Sequence, residues 1–127
     1  MSEHVKTVQA IYDCFGRGDV RGLLEHLDPD VRWDADWGMP PPPLYTPRIG
    51  RDEVPKFFAE LGAYDFVRFE PQAFLAGGDW VAVPIQFELR HKETGRVAAD
   101  LEVHLWRFGP DGKVIWFRHL LDGRLFE

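Results

Sequence analysis

Apolar positions near the start of the chain recur at helical spacing. Val5, Val8, Ile11, Tyr12 and Phe15 form one stripe of a helix, with Tyr12 read as a core residue of that stripe ahead of its other reading, a phenolic donor. Gly16 and Gly18 end it, because glycine tolerates the left-handed geometry of a helix terminus. Asp19 then suits the N-cap of a shorter helix carrying Val20, Leu23, Leu24 and Leu27, closed by Asp28-Pro29-Asp30. From Val31 the period falls to two. Val31, Trp33, Ala35 and Trp37 share one face of a short strand, and Arg32, Asp34 and Asp36 share the other. Pro40 to Pro43 and Pro47 make the stretch from Gly38 to Ile49 a stiff extended arm. A third helix is expected from Gly50, with Asp52 and Glu53 in its first turn and Val54, Phe57, Phe58 and Leu61 as its stripe.

The rest of the chain reads as strands. Phe66 to Leu75 turns at Gly77-Gly78 into Trp80 to Arg90, where Val81, Val83, Ile85, Phe87 and Leu89 occupy one face. Glu93-Thr94-Gly95 turns into Val97 to Phe108, and Gly109-Pro110-Asp111-Gly112 into Lys113 to Leu121. Helices followed by an antiparallel meander predict an α+β layer fold. The residues before the proline arm are too few for a core of their own, so 1–127 is expected to be one domain.

Charge and composition narrow the function. Fifteen Lys/Arg against 21 Asp/Glu give a net charge of −6 with no basic cluster. That disfavours nucleic acid and an anionic membrane surface as partners. No run of apolar residues reaches the length of a signal peptide or a membrane span, so a soluble, cytoplasmic protein is expected. The single cysteine, Cys14, excludes an internal disulfide and a multi-cysteine zinc cage.

Several segments together carry a family resemblance. They are the helix–Gly-Asp–helix opening, Asp28-Pro29-Asp30-Val31-Arg32-Trp33, Ile49-Gly50-Arg51-Asp52-Glu53-Val54-Pro55, and a meander ending in Trp116-Phe117-Arg118-His119-Leu120-Leu121-Asp122. In this order the chain resembles the nuclear transport factor 2-like superfamily, and within it the SnoaL-like polyketide cyclase and ketosteroid isomerase group. The resemblance implies a cone-shaped, curved, mostly antiparallel sheet closed by three N-terminal helices, with an internal pocket for a hydrophobic small molecule. It also implies no cofactor and a homodimer through the outer sheet face. The fold hosts isomerases, cyclases, dehydratases, epoxide hydrolases and non-catalytic binding modules, so it does not name the reaction.

Three acid–base candidates follow. His104 shares its strand face with Glu102 and Trp106, and the resemblance places it where similar isomerases carry an oxyanion-binding carboxyl. Its other reading is a histidine satisfied by Glu102 or Glu88. Asp34 and Asp36 flank Ala35, near which similar isomerases keep their general base, and their other reading is a solvated strand end. Asp122 matches the terminal-strand acid of SnoaL-like cyclases, and Asp122-Gly123 is equally a turn pair. A pocket built this way would draw its ligand-binding residues from Trp33, Trp37, Tyr45 and Phe57 at one end of the chain and Glu102, Trp106 and His119 at the other.

No HxH, HExxH or cysteine cluster is present. Glu102 and His104 offer two metal donors on one strand face but lack a third, so no metal is expected. Sheet parity leaves a further choice. If the faces Val81/Val83/Ile85 and Leu101/Val103/Leu105 pack together on the helices, His104 points outward. If they form the dimer interface, His104 points inward, and that arrangement is the one expected here.

Overall fold

The computed structural model of the chain describes residues 2–34 and 48–120. Helix α1, Glu3–Gly16, is capped by Ser2, whose hydroxyl accepts from the Val5 N–H at 3.1 Å. It buries Val5, Val8, Ile11 and Cys14. Gly18, at φ 70, turns the chain into α2, Val20–Leu24, and Asp19 caps that helix through the Gly22 N–H at 2.9 Å. A single tight turn, Arg51–Glu53, leads into α3, Val54–Leu61, where Pro55 falls in the first turn and needs no backbone donor. Helix α3 buries Val54, Phe57 and Leu61.

Seven strands form one sheet. They are β1 Leu27–Asp34, β2 Arg48–Ile49, β3 Tyr64–Pro71, β4 Leu75–Gly77, β5 Trp80–His91, β6 Val97–Phe108 and β7 Val114–Leu120. Their order is β2-β1-β7-β6-β5-β3, with β4 also paired to β5. All pairings are antiparallel except β1 with β7. Register shifts in β1–β7, β3–β5 and β6–β7 bend the sheet.

Two features correct the expected architecture. The strand order runs from one free end, β2, to another, β3, so the sheet is open and does not close into a cone. Only α1 and α2 precede the sheet, and α3 follows β1 and β2. Strand boundaries move as well. Asp28-Pro29-Asp30, expected to close a helix, lies inside β1, where the irregular pairing between Leu27 and Arg32 accommodates proline. The single strand expected from Phe66 to Leu75 is two strands, β3 and β4.

Register settles which face is inner. Val83 pairs with His104, Val81 with Trp106 and Ile85 with Glu102. The apolar face of β5 and the Glu102/His104/Trp106 face of β6 are therefore one face. It is the buried one: Val81, Val83 and Ile85 are fully covered, and so is Glu102. Leu101 lies on the opposite face, 51% exposed. The sequence reading that grouped Val81, Val83 and Ile85 with Leu101, Val103 and Leu105 is thereby corrected, while the inward direction of His104 stands.

Candidate functional site

The inner face of β6 and β7 presents its polar groups in adjacent rungs. His104 lies directly opposite His119, and Trp106 opposite Phe117. In the parallel pair Trp33 lies beside Phe117, so Trp33, Phe117 and Trp106 form one aromatic row across three strands. The ring centroids of Trp33 and Trp106 are each 4.3 Å from that of Phe117. Helix α1 lies over this face and lowers Tyr12 onto it.

A chain of polar contacts runs through the burial. Trp106 Nε1–H donates to the Tyr12 hydroxyl at 3.1 Å, and that hydroxyl lies 2.8 Å from His104 Nδ1. His104 Nε2 is 3.2 Å from Glu102 Oε1, bent away from the best hydrogen-bond line, while His119 Nε2 bonds the other carboxylate oxygen. A carboxylate only accepts. With Nε2–H turned toward Glu102, Nδ1 of His104 is the acceptor, and the Tyr12 O–H donates to it.

Electrostatics reinforce that assignment. Burial alone raises a carboxyl, yet the contact and charge of His104, then those of His119, outweigh it and hold Glu102 at about 2. Burial lowers the His104 imidazole, against the opposing pull of Glu102, so the ring is kept neutral. The Tyr12 phenol is pushed up by burial despite the Trp106 bond, and it keeps its proton.

This chain of groups borders an aromatic cavity of about 40 Å³, whose walls include Tyr12, Trp33, Phe57, Trp106, His104 and His119. A water occupies about 10–15 Å³ on the same measure, so the space, whose lining is almost wholly apolar, takes a small group and not a ring. An open groove of about 670 Å³ lies on the far side of the same wall, between α1 and β3. Tyr12, Phe15, Phe66 and Phe69 border both spaces. Trp33 is 2% exposed, and its indole nitrogen has no hydrogen-bond partner among the described residues. Leaving a buried donor unmade costs about 1–3 kcal/mol.

A model of the SnoaL-like domain family matches residues 8–117. The chain belongs to the SnoaL-like family. Solved structures agree. An NTF2-like protein of unknown function from Burkholderia pseudomallei is 33% identical over 96% of this chain and 92% of its own, with a TM-score of 0.83. An NTF2-like protein from Burkholderia xenovorans is 25% identical over 98% and 92%, with a TM-score of 0.84. TerC, co-crystallised with polyporic acid, is 28% identical over 98% and 95%, with a TM-score of 0.81. No curated protein matches the chain.

In this SnoaL-like chain the sequence-derived candidates divide. His104, His119, Trp33, Phe57 and Trp106 come together at the cavity. Glu102 stands behind it, fully buried, and acts on the cavity only through the two imidazoles. Asp34 does not join them. It is buried on the opposite face, accepting from Trp116 Nε1 at 2.8 Å and pairing with Arg32 at 2.9 Å. Asp36, Trp37, Tyr45 and Asp122 lie outside the described residues.

The third metal donor absent from the sequence spacing is His119. Glu102, His104 and His119 each offer one ligand atom within 4.8 Å of the others, although the imidazole–carboxylate contacts already account for their convergence. Sequence reasoning set a phenolic-donor role for Tyr12 second to its core role, and the structure gives it both. The available signal was its hydroxyl, which a buried helix face must supply with a partner.

Proposed function

We propose that this SnoaL-like protein holds a hydrophobic small molecule with a carbonyl or hydroxyl group and performs cofactor-free acid–base chemistry of the isomerase or cyclase type. The observation that carries the reading is the Glu102–His104–Tyr12 chain, which ends at an aromatic cavity. In this mechanism Asp122 or Asp36 removes a proton from the carbon beside a carbonyl. Tyr12 turns its O–H from His104 Nδ1 to the oxygen as that gains negative charge and stabilises it by donating a hydrogen bond, and the proton taken by the aspartate is returned to the substrate from that aspartate. Glu102, facing His104 Nε2–H, fixes the tautomer that leaves Nδ1 an acceptor beside Tyr12. The co-crystallisation of TerC, which is similar to this chain, with polyporic acid supports a small-molecule ligand.

The test is exchange of the protons next to the carbonyl of indanone in heavy water, followed by NMR. The expected result is exchange above the buffer rate, falling at least tenfold in His104→Ala and in Tyr12→Phe. A competing reading, a non-catalytic binding module, is favoured by the engagement of both His104 nitrogens within the protein. Binding without exchange across a panel of ketones, with no dehydration or epoxide opening either, decides for it. We also propose a homodimer through the outer sheet face, supported by exposed Val97, Leu101 and Leu120 on that side.

A further inference from the structure

Glu102, His104 and His119 converge, yet one of the contacts among them is incomplete. His119 Nε2 bonds Oε2 of the carboxylate. The other oxygen, Oε1, faces His104 Nε2 at 3.2 Å, off the line of a hydrogen bond, and neither atom has another partner among the described residues. Both atoms are sealed from solvent, on side chains 0% and 7% exposed. Buried polar atoms are paired in nearly all native structures, so two that face each other unpaired point to a shared partner from outside the chain.

The donor set says what kind of partner that is. Imidazole nitrogen and carboxylate oxygen are ligands of zinc(II). Glu102, His104 and His119 each offer a ligand atom, all within 4.8 Å of one another. Donors from separate side chains stand about 3.3 Å apart around a zinc ion, each being about 2.0 Å from the metal. The 3.2 Å between Glu102 Oε1 and His104 Nε2 has that spacing. With both carboxylate oxygens engaged, the trio supplies four donors, so the ion takes no ligand from the aromatic cavity.

The frame around these donors also suits a metal. His104 and His119 are paired across β6 and β7, and Glu102 is two residues from His104 on the same buried face, so the strands fix all three. A metal-bound imidazole almost always has its other ring nitrogen hydrogen-bonded. For His104 that partner is present, because Nδ1 lies 2.8 Å from the Tyr12 hydroxyl.

We propose that Glu102, His104 and His119 form a closed site for a divalent transition metal, with zinc(II) the ion its donors suit best. On binding, His104 moves its proton from Nε2 to Nδ1 and gives the Nε2 lone pair to the metal. Nδ1–H then donates to the Tyr12 oxygen, whose own O–H turns away, so that hydrogen bond persists with its direction reversed. The acid–base reading above requires no metal, and this site stands or falls independently of it.

Equilibrium dialysis of the full chain against zinc chloride, followed by metal analysis, tests the proposal, with long-range proton–nitrogen NMR of the histidine rings as the structural readout. The expected result is one zinc ion per chain retained at micromolar free zinc, with His104 changing from Nε2-protonated to Nδ1-protonated. His104→Gln and His119→Gln are each expected to weaken binding by about tenfold or more, and His26→Ala to leave it unchanged. Zinc retained equally by both glutamine variants belongs to other groups and overturns the proposal. So does a chain that retains none after refolding in zinc, where slow entry to a buried site is no obstacle. Should either variant fail to fold, wild type decides: a His104 tautomer unmoved with zinc bound overturns the site. Indanone exchange in EDTA keeps the two readings apart. Exchange without metal in a chain that retains no zinc sinks the metal site alone, and zinc retained at His104 with no exchange sinks the acid–base reading alone.

Discussion

Glu102 shows how one side chain can organise a site it does not line. It is fully buried, and two imidazoles converge on its two oxygens. Removing the carboxylate takes away the acceptor on which the two buried imidazoles converge, so Glu102→Ala is expected to cost about 1–3 kcal/mol in denaturant unfolding. Its carboxyl titrates at about 2 in the folded protein, below the ordinary 4.5. The unfolded chain therefore takes up the proton first as the solution is acidified. The stabilisation is present above 4.5 and is lost as pH falls toward 2. Circular dichroism between those limits should show wild type losing stability more steeply than Glu102→Gln. Equal slopes would mean that Glu102 is not the group being titrated.

Among the elements, α1 covers the inner face with Val5, Val8, Ile11 and Cys14. Ile11 is 1% exposed and lines the cavity, so Ile11→Ala enlarges an existing void that its neighbours cannot easily fill. A loss of about 2–5 kcal/mol, read from the denaturant midpoint, is expected. This stripe was legible from the sequence, as were the α3 stripe and the whole of β6, because each has a clean period and bounded ends. The antiparallel pairing of β5 with β6 was legible too, but its register was not. Both strands alternate, but register depends on how the connection after His91 is threaded, and the hydrophobic pattern misleads there. On β6 the regular aliphatic set of Leu101, Val103 and Leu105 faces away, while the inner set carries a glutamate and a histidine. A buried polar network defeats any rule that equates the more apolar face with the interior. The same limit hid the partnership of His119 with His104, which exists only across strands.

For the molecule as a whole, the outer face sets the expected assembly. Light scattering at micromolar concentration should give twice the mass of one chain, and Leu101→Glu should return the single-chain mass by placing charge in the contact. A single-chain mass for wild type would remove the dimer from this account.

One further consequence follows from the parallel contact of β1 with β7, in which Trp33 lies beside Phe117. A ribosome releases β1 well before β7, and among the described residues only the two-residue β2 pairs with β1 before then. The hairpin of β5 and β6 can close as soon as it emerges, but the aromatic row across the cavity must wait for β7. Closing so long a loop is entropically costly and slow. A nascent chain stalled before Val114 therefore carries Trp33 uncovered, and the interval before β7 arrives is when this protein is most in need of a chaperone.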